Sequence, residues 1–359
     1  MTKVYVGMSG GVDSSLTAAL LLEQGYDVTG VYMKNWSKDL PGMACPWKDD
    51  YQDAKRVAVQ LGIPFKMYDF EDEYRARVVE YMIDGYRSGL TPNPDIMCNQ
   101  EVKFKLFLEA ALADGADMIA TGHYAKILHS DDGSSGASLH VAANAEKDQT
   151  YFLYRVSEQA LSRSLMPIGD IMTKAEVRAE AAKRGLATAA KKDSQGICFV
   201  GKVGIKDFLL HEIGPQPHGA ILDQNGVTIG EHDGAIFYTI GQRQGLGIGG
   251  GLPYYVIGKN MEKNEVYVTT NLDDEKLWHK ELHLTVPHWI NEPPEVGKTY
   301  HVRTRYRAEL VEATLREDEH ADIRKGLIVS LSQEVRAITP GQSAVIYDAD
   351  RVVGGGIII

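Results

Sequence analysis

The sequence of 359 residues contains only three cysteines, Cys45, Cys98 and Cys198, and no two of them form a C-x-x-C pair. This spacing excludes the common zinc patterns and the disulfide framework of a small secreted domain. The sequence also has no apolar run of about eighteen residues and no basic and apolar N-terminal regions of a signal peptide. We therefore expect a cytoplasmic protein with no membrane partner.

Positive charge is scarce, since 38 lysines and arginines stand against 49 aspartates and glutamates and the net charge is −11. A nucleic-acid contact would therefore depend on local basic stretches and not on the charge of the whole chain. The sequence has no G-x-x-x-x-G-K-[ST] loop, which disfavours phosphoryl transfer of the kinase or GTPase type. The length predicts roughly two or three globular domains.

The most informative motif is Ser-Gly-Gly-Val-Asp-Ser at residues 9–14, which follows a short apolar run and precedes an apolar helical stretch. A strand, a glycine turn and a helix in this order direct backbone N–H groups at an anion such as phosphate. Gly10 and Gly11 let the backbone approach the ligand closely. Asp13 suits a phosphate site when Mg²⁺ lies between the two anions. A tight turn capped by serine and aspartate is the structural alternative.

Alternating strands and helices in the first half of the chain predict an α/β fold with a doubly wound parallel sheet. We predict strands at residues 4–7, 28–33, 64–69 and 118–121, with Met33 at the carboxyl end of the second. The fourth strand would lie across the switch point from the first, next to a bound nucleotide. Gly122 and His123 end this strand, although a lone histidine there is often structural. Thr173-Lys174-Ala175-Glu176 is a capping box, a purely structural signal.

Each cysteine has its own local setting. A proline-rich loop at residues 91–99 precedes a helix predicted over 100–113, so Cys98 would lie just before a helix N-terminus, which favours the thiolate. Asp95, three residues earlier, could act as a proton donor or acceptor. The alternative is a stiff loop with a buried cysteine. Cys198 follows Lys191, Lys192 and a glycine turn, which also favours a thiolate, whereas Cys45 has no basic neighbour and is expected to be structural.

Short β-rich runs begin near residue 214, with strands predicted at 218–227, 235–240 and 254–268. Residues 245–250 match G-x-G-x-x-G, but a strand and not a helix follows, so we reject a dinucleotide site. Strong alternation over 282–359 predicts a small β-barrel or sandwich. A period of two over residues 300–307 would place Arg303, Arg305 and Arg307 on one strand face, either for RNA contact or as a charged edge.

Further motifs follow in a fixed order. They are Asn-Pro-Asp-Ile-Met-Cys-Asn (93–99), Ala-Thr-Gly-His-Tyr (120–124), Lys-Asp-Gln-Thr-Tyr-Phe-Leu (147–153), Asp-Ser-Gln-Gly-Ile-Cys-Phe (193–199), Tyr-Thr-Ile-Gly-Gln-Arg (238–243), Arg305-Tyr306 and Pro340-Gly341-Gln342. With residues 9–14, this ordered set resembles the bacterial tRNA-specific 2-thiouridylases of the ATP pyrophosphatase (PP-loop) superfamily. The resemblance covers essentially the whole chain. It implies an adenine nucleotide alpha-hydrolase-like catalytic domain at 1–206, a small β-rich central domain at 207–280 and a tRNA-contacting β-barrel at 281–359.

The resemblance implies ATP-dependent 2-thiolation of the wobble uridine (U34) of tRNA. ATP with Mg²⁺ would adenylate the C2 oxygen, a cysteine persulfide would deliver sulfur, and AMP would leave. Cys198 would bear the persulfide. Cys98 would be the partner nucleophile that releases the persulfide sulfur of Cys198 as a disulfide forms, and Asp95 would be the acid/base. The sulfur would come from a donor protein, either a cysteine desulfurase or a sulfur carrier.

The resemblance also implies two sets of binding residues. The ATP set is Gly7, Met8, Ser9, Gly10, Gly11, Val12, Asp13, Ser14, Met33 and Gly122. The set for tRNA and the target base is Asn93, Pro94, Asp95, His123, Lys147, Asp148, Gln149, Arg305, Tyr306 and Gln342. No metal site built directly from a protein cluster is implied, although an iron–sulfur cluster on three isolated cysteines stays open. The other open functions are a different ATP pyrophosphatase without a cysteine pair, and a non-catalytic RNA-binding protein.

Overall fold

The first part of the chain alternates strands and helices. A computed structural model describes residues 1–40, 42, 44–130, 136–192, 204–249, 251–318 and 326–359. The first elements are β1 (Lys3–Gly7), α1 (Val12–Glu23), β2 (Asp27–Lys34), α2 (Trp47–Leu61), β3 (Phe65–Asp69), α3 (Glu71–Tyr74), a π-helical segment (Arg75–Val79), α4 (Glu80–Arg87), α5 (Pro94–Met97), a second π-helical segment (Cys98–Leu106), α6 (Phe107–Ala113) and β4 (Met118–Ala120). They are followed by β5 (Lys126–His129), β6 (Ala137–His140), a 3-10 turn (Thr150–Phe152), α7 (Glu158–Leu161), β7 (Ser164–Leu165) and α8 (Lys174–Lys183).

Five parallel strands form one sheet in the order β3-β2-β1-β4-β7. In the central strand, Val6 lies beside Gly30 on one side and Ala120 on the other. The chain runs outward from β1 to β3 and then returns to β4 on the opposite side of β1. The switch point therefore lies between β1 and β4, and the predicted doubly wound α/β fold is confirmed.

Both faces of this sheet are covered, so its strands are apolar on both sides. Successive residues of β1 point to opposite faces. Val4 and Val6 pack with residues of α1, α2 and α8, whereas Tyr5 packs with the helical stretches 71–87 and 94–113. The two cores hold the carboxyl ends of β1, β2 and β4 at one edge of the sheet.

The helix that carries Cys98 begins earlier than predicted. The side-chain oxygen of Asn93 accepts the backbone N–H groups of Asp95 and Ile96 at 3.1 and 3.3 Å, and Pro94 occupies the first helical turn. A capping asparagine followed by proline is a strong helix start. The predicted start at residue 100 is wrong, and Cys98 lies one turn inside the helix, where the π-helical segment begins.

The central region is a small sheet around its own core. Its elements are α9 (Ile205–Ile213), β8 (Gly219–Leu222), β9 (Thr228–His232), a 3-10 turn (Ala235–Phe237), β10 (Tyr255–Asn260) and β11 (Glu265–Thr269), with sheet order β10-β11-β8-β9. The predicted strand at 235–240 is wrong, because Gly234 at φ 130° and the bond from Ala235 N–H to Asn264 Oδ1 turn the chain. A strand follows the glycine-rich loop, as expected.

The last region is a closed barrel. Its elements are a 3-10 turn (Glu275–Leu277), β12 (Trp278–Trp289), β13 (Thr299–Arg303), β14 (Val311–Asp318), β15 (Gly326–Arg336), β16 (Ser343–Asp348) and β17 (Arg351–Ile358). The order β12-β15-β14-β13-β16-β17 closes through pairing of β12 with β17, which leaves no free edge between these strands. Gly355 allows close strand approach, since a Cβ there would lie 2.2 Å from the carbonyl oxygen of Ala344.

The arginine-rich stretch is only partly a strand. β13 ends at Arg303, the Ala308 N–H closes a turn onto the Arg305 carbonyl at 3.0 Å, and Arg307 has φ 63°. The prediction that Arg303, Arg305 and Arg307 project from one strand face is therefore wrong. Elsewhere, the β5–β6 hairpin joins the barrel through pairing of His140 with Arg351. In the described ranges, no helix is both long and apolar enough to cross a bilayer.

Candidate active site

The loop at residues 8–11 is shaped for an anion. α1 begins at Val12 with Gly11 as its N-cap, which brings no capping side chain to the first-turn N–H groups. The Ser9 N–H donates to Ser14 Oγ at 3.1 Å, and the two serine hydroxyls lie 3.3 Å apart. Gly10 has φ 74°, and a Cβ there would lie 2.3 Å from the Asp50 carbonyl oxygen. The loop is thus held tightly against the N-terminus of α1, where unpaired backbone N–H groups can bind an anion.

Other residues of the predicted ATP set gather at the same sheet edge. A Cβ on Gly7 would lie 2.9 Å from Met33 Cε, and one on Gly122 would lie 2.7 Å from the Ser14 backbone nitrogen. Residues from β1, α1, β2 and the end of β4 therefore meet there. Gly122 is needed because the chain after β4 passes directly against the start of α1.

Two residues near this loop were missed by the sequence analysis. The Lys174 ammonium contacts both carboxylate oxygens of Asp13 at 2.6 and 2.7 Å, and the Tyr124 hydroxyl donates to Asp13 Oδ1 at 2.7 Å. The capping box of α8 is confirmed, since Thr173 accepts the Glu176 N–H at 3.1 Å. The signal that could have revealed Lys174 is a cation at the first position of a helix, where the dipole disfavours it.

A second lysine, Lys191, pairs with two aspartates of α2 near the loop at residues 8–11. Lys191 Nζ lies 2.7 Å from both an Asp50 and an Asp53 carboxylate oxygen. Burial lowers the pKa of Lys191, but the hydrogen bonds that its ammonium donates to both aspartates outweigh burial, so the pKa is raised. Lys191 stands shortly before residues 193–203, which include Cys198 and lie outside the described residues.

Cys98 and Asp95 lie three residues apart in one helix and share a face. Cys98 is only 1% exposed and belongs to the main core, whereas Asp95 is half-buried. The next residue, Asn99, donates from its side chain to the Phe152 carbonyl at 3.0 Å. Since solvent hardly reaches the thiol here, reaction at Cys98 requires a rearrangement of its surroundings.

Thr91 links the proline-rich loop before α5 to the other two regions of the chain. Its N–H donates to the Pro340 carbonyl at 2.9 Å, and its carbonyl accepts from the Gln342 side chain at 2.7 Å. Its hydroxyl lies 3.3 Å from that of Thr239. The barrel region and the central region therefore both anchor this loop at Thr91.

His123 is buried, and both of its ring nitrogens contact neighbouring side chains. Its Nδ1 lies 2.8 Å from Thr121 Oγ1, its Nε2 lies 3.5 Å from Lys103 Nζ, and its ring packs on Phe104. Burial first, and the charge of Lys103 second, hold the pKa of His123 well below its ordinary value of 6.5. At neutral pH the ring is therefore uncharged, with one donor and one acceptor nitrogen.

The turn at residues 147–149 has a buried anchor. Asp148 is 2% exposed and accepts from Ala142 N–H, Thr150 Oγ1 and Arg303 at 3.1, 2.7 and 3.2 Å. Its carboxylate thus ties this turn to β13. Gln149 accepts the Tyr124 N–H at 2.9 Å and thereby connects the turn with the segment after β4.

A groove of about 490 Å³ lies between this turn and the turn after β13. It is lined by Ala145, Glu146, Lys147, Asp148, Arg303, Tyr306, Arg307 and Ala308. The Tyr306 ring lies 4.5 Å from that of Phe152, and Arg307 lies 5.2 Å from the Tyr306 ring centre. Arg305 is exposed beside them. Cations and an aromatic ring therefore border one concave surface, a combination suited to phosphates and bases.

Cys45 has the surroundings of a structural thiol. Its sulfur donates to the Trp36 carbonyl at 3.6 Å, and Asp39 accepts its backbone N–H. Burial raises the pKa of Cys45, and nearby carboxylates add to that effect although a backbone bond near Trp47 opposes it. The thiolate is therefore disfavoured.

Family models match the chain in three consecutive segments. They are described as a tRNA methyl transferase HUP domain (residues 2–202), a tRNA methyl transferase PRC-barrel domain (206–270) and an aminomethyltransferase beta-barrel domain (279–358). Among solved structures, an NMN synthetase from Francisella tularensis aligns at 14% identity and TM-score 0.34, covering 54% of this chain and 66% of its own. A likeness that low carries no argument.

Curated relatives match over nearly the full length. The tRNA-specific 2-thiouridylase MnmA of Shouchella clausii is 46% identical over 361 residues, covering 99% of this chain and 96% of the relative. The protein of the same name from Bacillus anthracis is 45% identical over 359 residues, covering 99% and 94%. Both names describe thiolation, whereas two of the three family-model descriptions refer to tRNA methyl transfer.

Proposed function

The chain belongs to the family of tRNA-specific 2-thiouridylases, and on that premise we propose that it replaces the C2 oxygen of the wobble uridine (U34) of tRNA with sulfur while cleaving ATP to AMP and pyrophosphate. The single observation that carries this proposal is the identity of 45% with such an enzyme over 99% of the chain. The glycine turn at the N-terminus of α1 and the buried cysteine in the helix that begins at Pro94 support the same chemistry.

ATP binds with its phosphates at the N-terminus of α1. The loop residues 8–11 and the backbone of Ser14 face the phosphates, and Gly7, Met33 and Gly122 border the nucleotide. The carboxylate of Asp13 is the kind of oxygen ligand that Mg²⁺ takes together with phosphate oxygens, so the residues fit a Mg²⁺–ATP complex. Mg²⁺ bound there would neutralise phosphate charge. The helix N-terminus adds fixed partial positive charge for the same purpose.

Thiolation needs a good leaving group and an activated sulfur. The uridine C2 oxygen attacks the α-phosphorus, and the leaving pyrophosphate takes the electron pair of the broken P–O bond. The terminal sulfur of a Cys198 persulfide then bonds to C2. Cys98 attacks the inner sulfur of Cys198, forming a disulfide as the sulfur–sulfur bond of the persulfide breaks, and AMP leaves. Asp95, on the same helix face as Cys98, is the acid/base that accepts and donates protons during these steps.

The tRNA crosses the region between the catalytic sheet and the barrel. Asn93, Pro94 and Asp95 contact the target base. Lys147 and Tyr306 border the groove described above, and Arg305 contacts the tRNA from its exposed position next to Tyr306. His123, Asp148, Gln149 and Gln342 act with them, and the internal bonds of the last three support a role in shaping this surface. A thiol reductant first opens the Cys98–Cys198 disulfide, after which a persulfide on a cysteine desulfurase or a sulfur carrier transfers its terminal sulfur to Cys198. The reaction takes place in the cytoplasm with the tRNA.

Three single variants test the roles of the cysteines. In Cys98→Ser and Cys198→Ser we expect 2-thiouridine formation to be lost while tRNA-dependent pyrophosphate release persists, because adenylation uses neither sulfur. Cys45→Ser is the matched control and should thiolate like the unmodified enzyme, since Cys45 is held as a structural thiol. Full thiolation by either active-site variant would contradict the two-cysteine mechanism.

A further inference from the structure

The ion pair between Lys174 and Asp13 lies directly at the ATP loop. The Lys174 side chain is 16% exposed, that of Asp13 is 31% exposed, and both carboxylate oxygens are in contact with the ammonium. Tyr124 holds the pair from a third side, with its hydroxyl on Asp13 and its ring 5.6 Å from the ammonium. A largely buried cation is therefore stationed where phosphates approach the start of α1.

The position of Lys174 is unfavourable for its own helix. Lys174 is the first residue of α8, at the positive end of the helix dipole, where an acidic residue stabilises the helix and a cation destabilises it. α8 packs on α1 through Val177 and Ala181, which share a core with Leu16. This packing places the N-termini of both helices side by side. The cation is thus retained against a local electrostatic penalty.

We propose that Lys174 is a pyrophosphate-binding residue, which exchanges the Asp13 carboxylate for the β- and γ-phosphates of ATP. The inference rests on the proposed adenylation. As the uridine oxygen bonds to the α-phosphorus, the P–O bond to the bridging oxygen breaks and its electron pair remains on pyrophosphate. The Lys174 ammonium stabilises this departing charge electrostatically. In the absence of nucleotide, Asp13 and Tyr124 keep the ammonium in place.

Ligand binding to the full-length protein tests this role without relying on turnover. Affinities for ATP, inorganic pyrophosphate and AMP are measured by calorimetry, with Mg²⁺, for the unmodified chain, Lys174→Met and Lys174→Arg. We expect Lys174→Met to weaken ATP and pyrophosphate by about tenfold or more, corresponding to about 1.4 kcal/mol, and to leave AMP within about twofold. Lys174→Arg should retain most of the affinity. Lys183→Met, at the exposed end of the same helix, is the matched control.

A variant that should bind pyrophosphate more tightly distinguishes a specific role of Lys174 from a loss of affinity caused by misfolding. Asp13→Asn removes the carboxylate that holds Lys174, so pyrophosphate binding without Mg²⁺ should become tighter, and this gain should vanish in Asp13→Asn/Lys174→Met. Unchanged pyrophosphate affinity in Lys174→Met, or an equal loss for AMP, would overturn the proposal. If the unmodified chain itself bound neither ATP nor pyrophosphate, the proposed function would fail as well.

Discussion

Replacing Asp148 should destabilise the fold in the absence of RNA. Its carboxylate, 2% exposed, accepts three hydrogen bonds and pairs with Arg303, whose side chain is 15% exposed. In Asp148→Ala the arginine keeps a largely buried charge without its carboxylate, and the Ala142 N–H loses its acceptor. Breaking a buried pair from one side costs about 3–5 kcal/mol. We expect a loss of that size in the free energy of unfolding.

The assay is urea unfolding of the protein without tRNA, followed by circular dichroism. Glu146→Ala, an exposed carboxylate in the same turn, is the control and should change stability by less than about 0.5 kcal/mol. The double variant Asp148→Ala/Arg303→Met should recover part of the loss, since replacing both partners of a buried pair is often tolerated. If Asp148→Ala unfolds like the unmodified chain but binds tRNA more weakly, the structural reasoning is refuted and direct RNA contact is favoured.

The remaining predictions concern three other positions of the site. Because the pKa of His123 is lower when folded than its unfolded value near 6.5, protons bind mainly to the unfolded chain below that pH. The free energy of unfolding is therefore retained above pH 6.5 and falls on acidification, by up to about 1.4 kcal/mol per pH unit from this group. In His123→Gln the urea midpoint should depend less on pH between pH 7 and 5, and an unchanged pH dependence would contradict the lowered pKa of His123. Gly122→Ala should weaken ATP binding in calorimetry by about tenfold or more while leaving tRNA binding intact, because its Cβ would lie 2.7 Å from the Ser14 nitrogen; unchanged ATP affinity would count against this packing. Gln342→Ala should lower the thiolation rate more than tRNA affinity, because it removes the bond that holds the Thr91 carbonyl; a loss confined to tRNA affinity would instead favour direct contact.

The fold was largely predictable because its signals are local and repeated. Apolar strands alternating with helices gave the doubly wound sheet, and alternation after residue 282 predicted a barrel or sandwich, of which the structure has the barrel. The boundaries after residues 206 and 280 stay predictions, as do the roles of the site residues. The wrong secondary-structure predictions arose where one or two residues outweigh the hydrophobic or charge pattern around them. Asn93 and Pro94 start a helix before Cys98, and the positive φ of Arg307 belongs to a turn after β13.

The site was less predictable because its decisive contacts join distant parts of the chain. Residues 9–14 predict a phosphate loop, and a cation at the first position of α8 marks Lys174 as unusual, but neither pattern indicates that Lys174 lies against Asp13. The burial of Asp148 likewise depends on Arg303, which lies in another region of the chain. Such pairs follow from packing of α8 on α1 and of the barrel on the turn at 147–149.

The most direct test of the central claim is the chemical product made on tRNA. The purified protein is incubated with Mg²⁺–ATP, a persulfide source and unmodified tRNA, and the digested nucleosides are analysed by mass spectrometry. We expect 2-thiouridine at the wobble position, dependent on ATP and accompanied by AMP. A methylated nucleoside in place of 2-thiouridine, or tRNA binding with neither AMP nor a modified nucleoside, would contradict it.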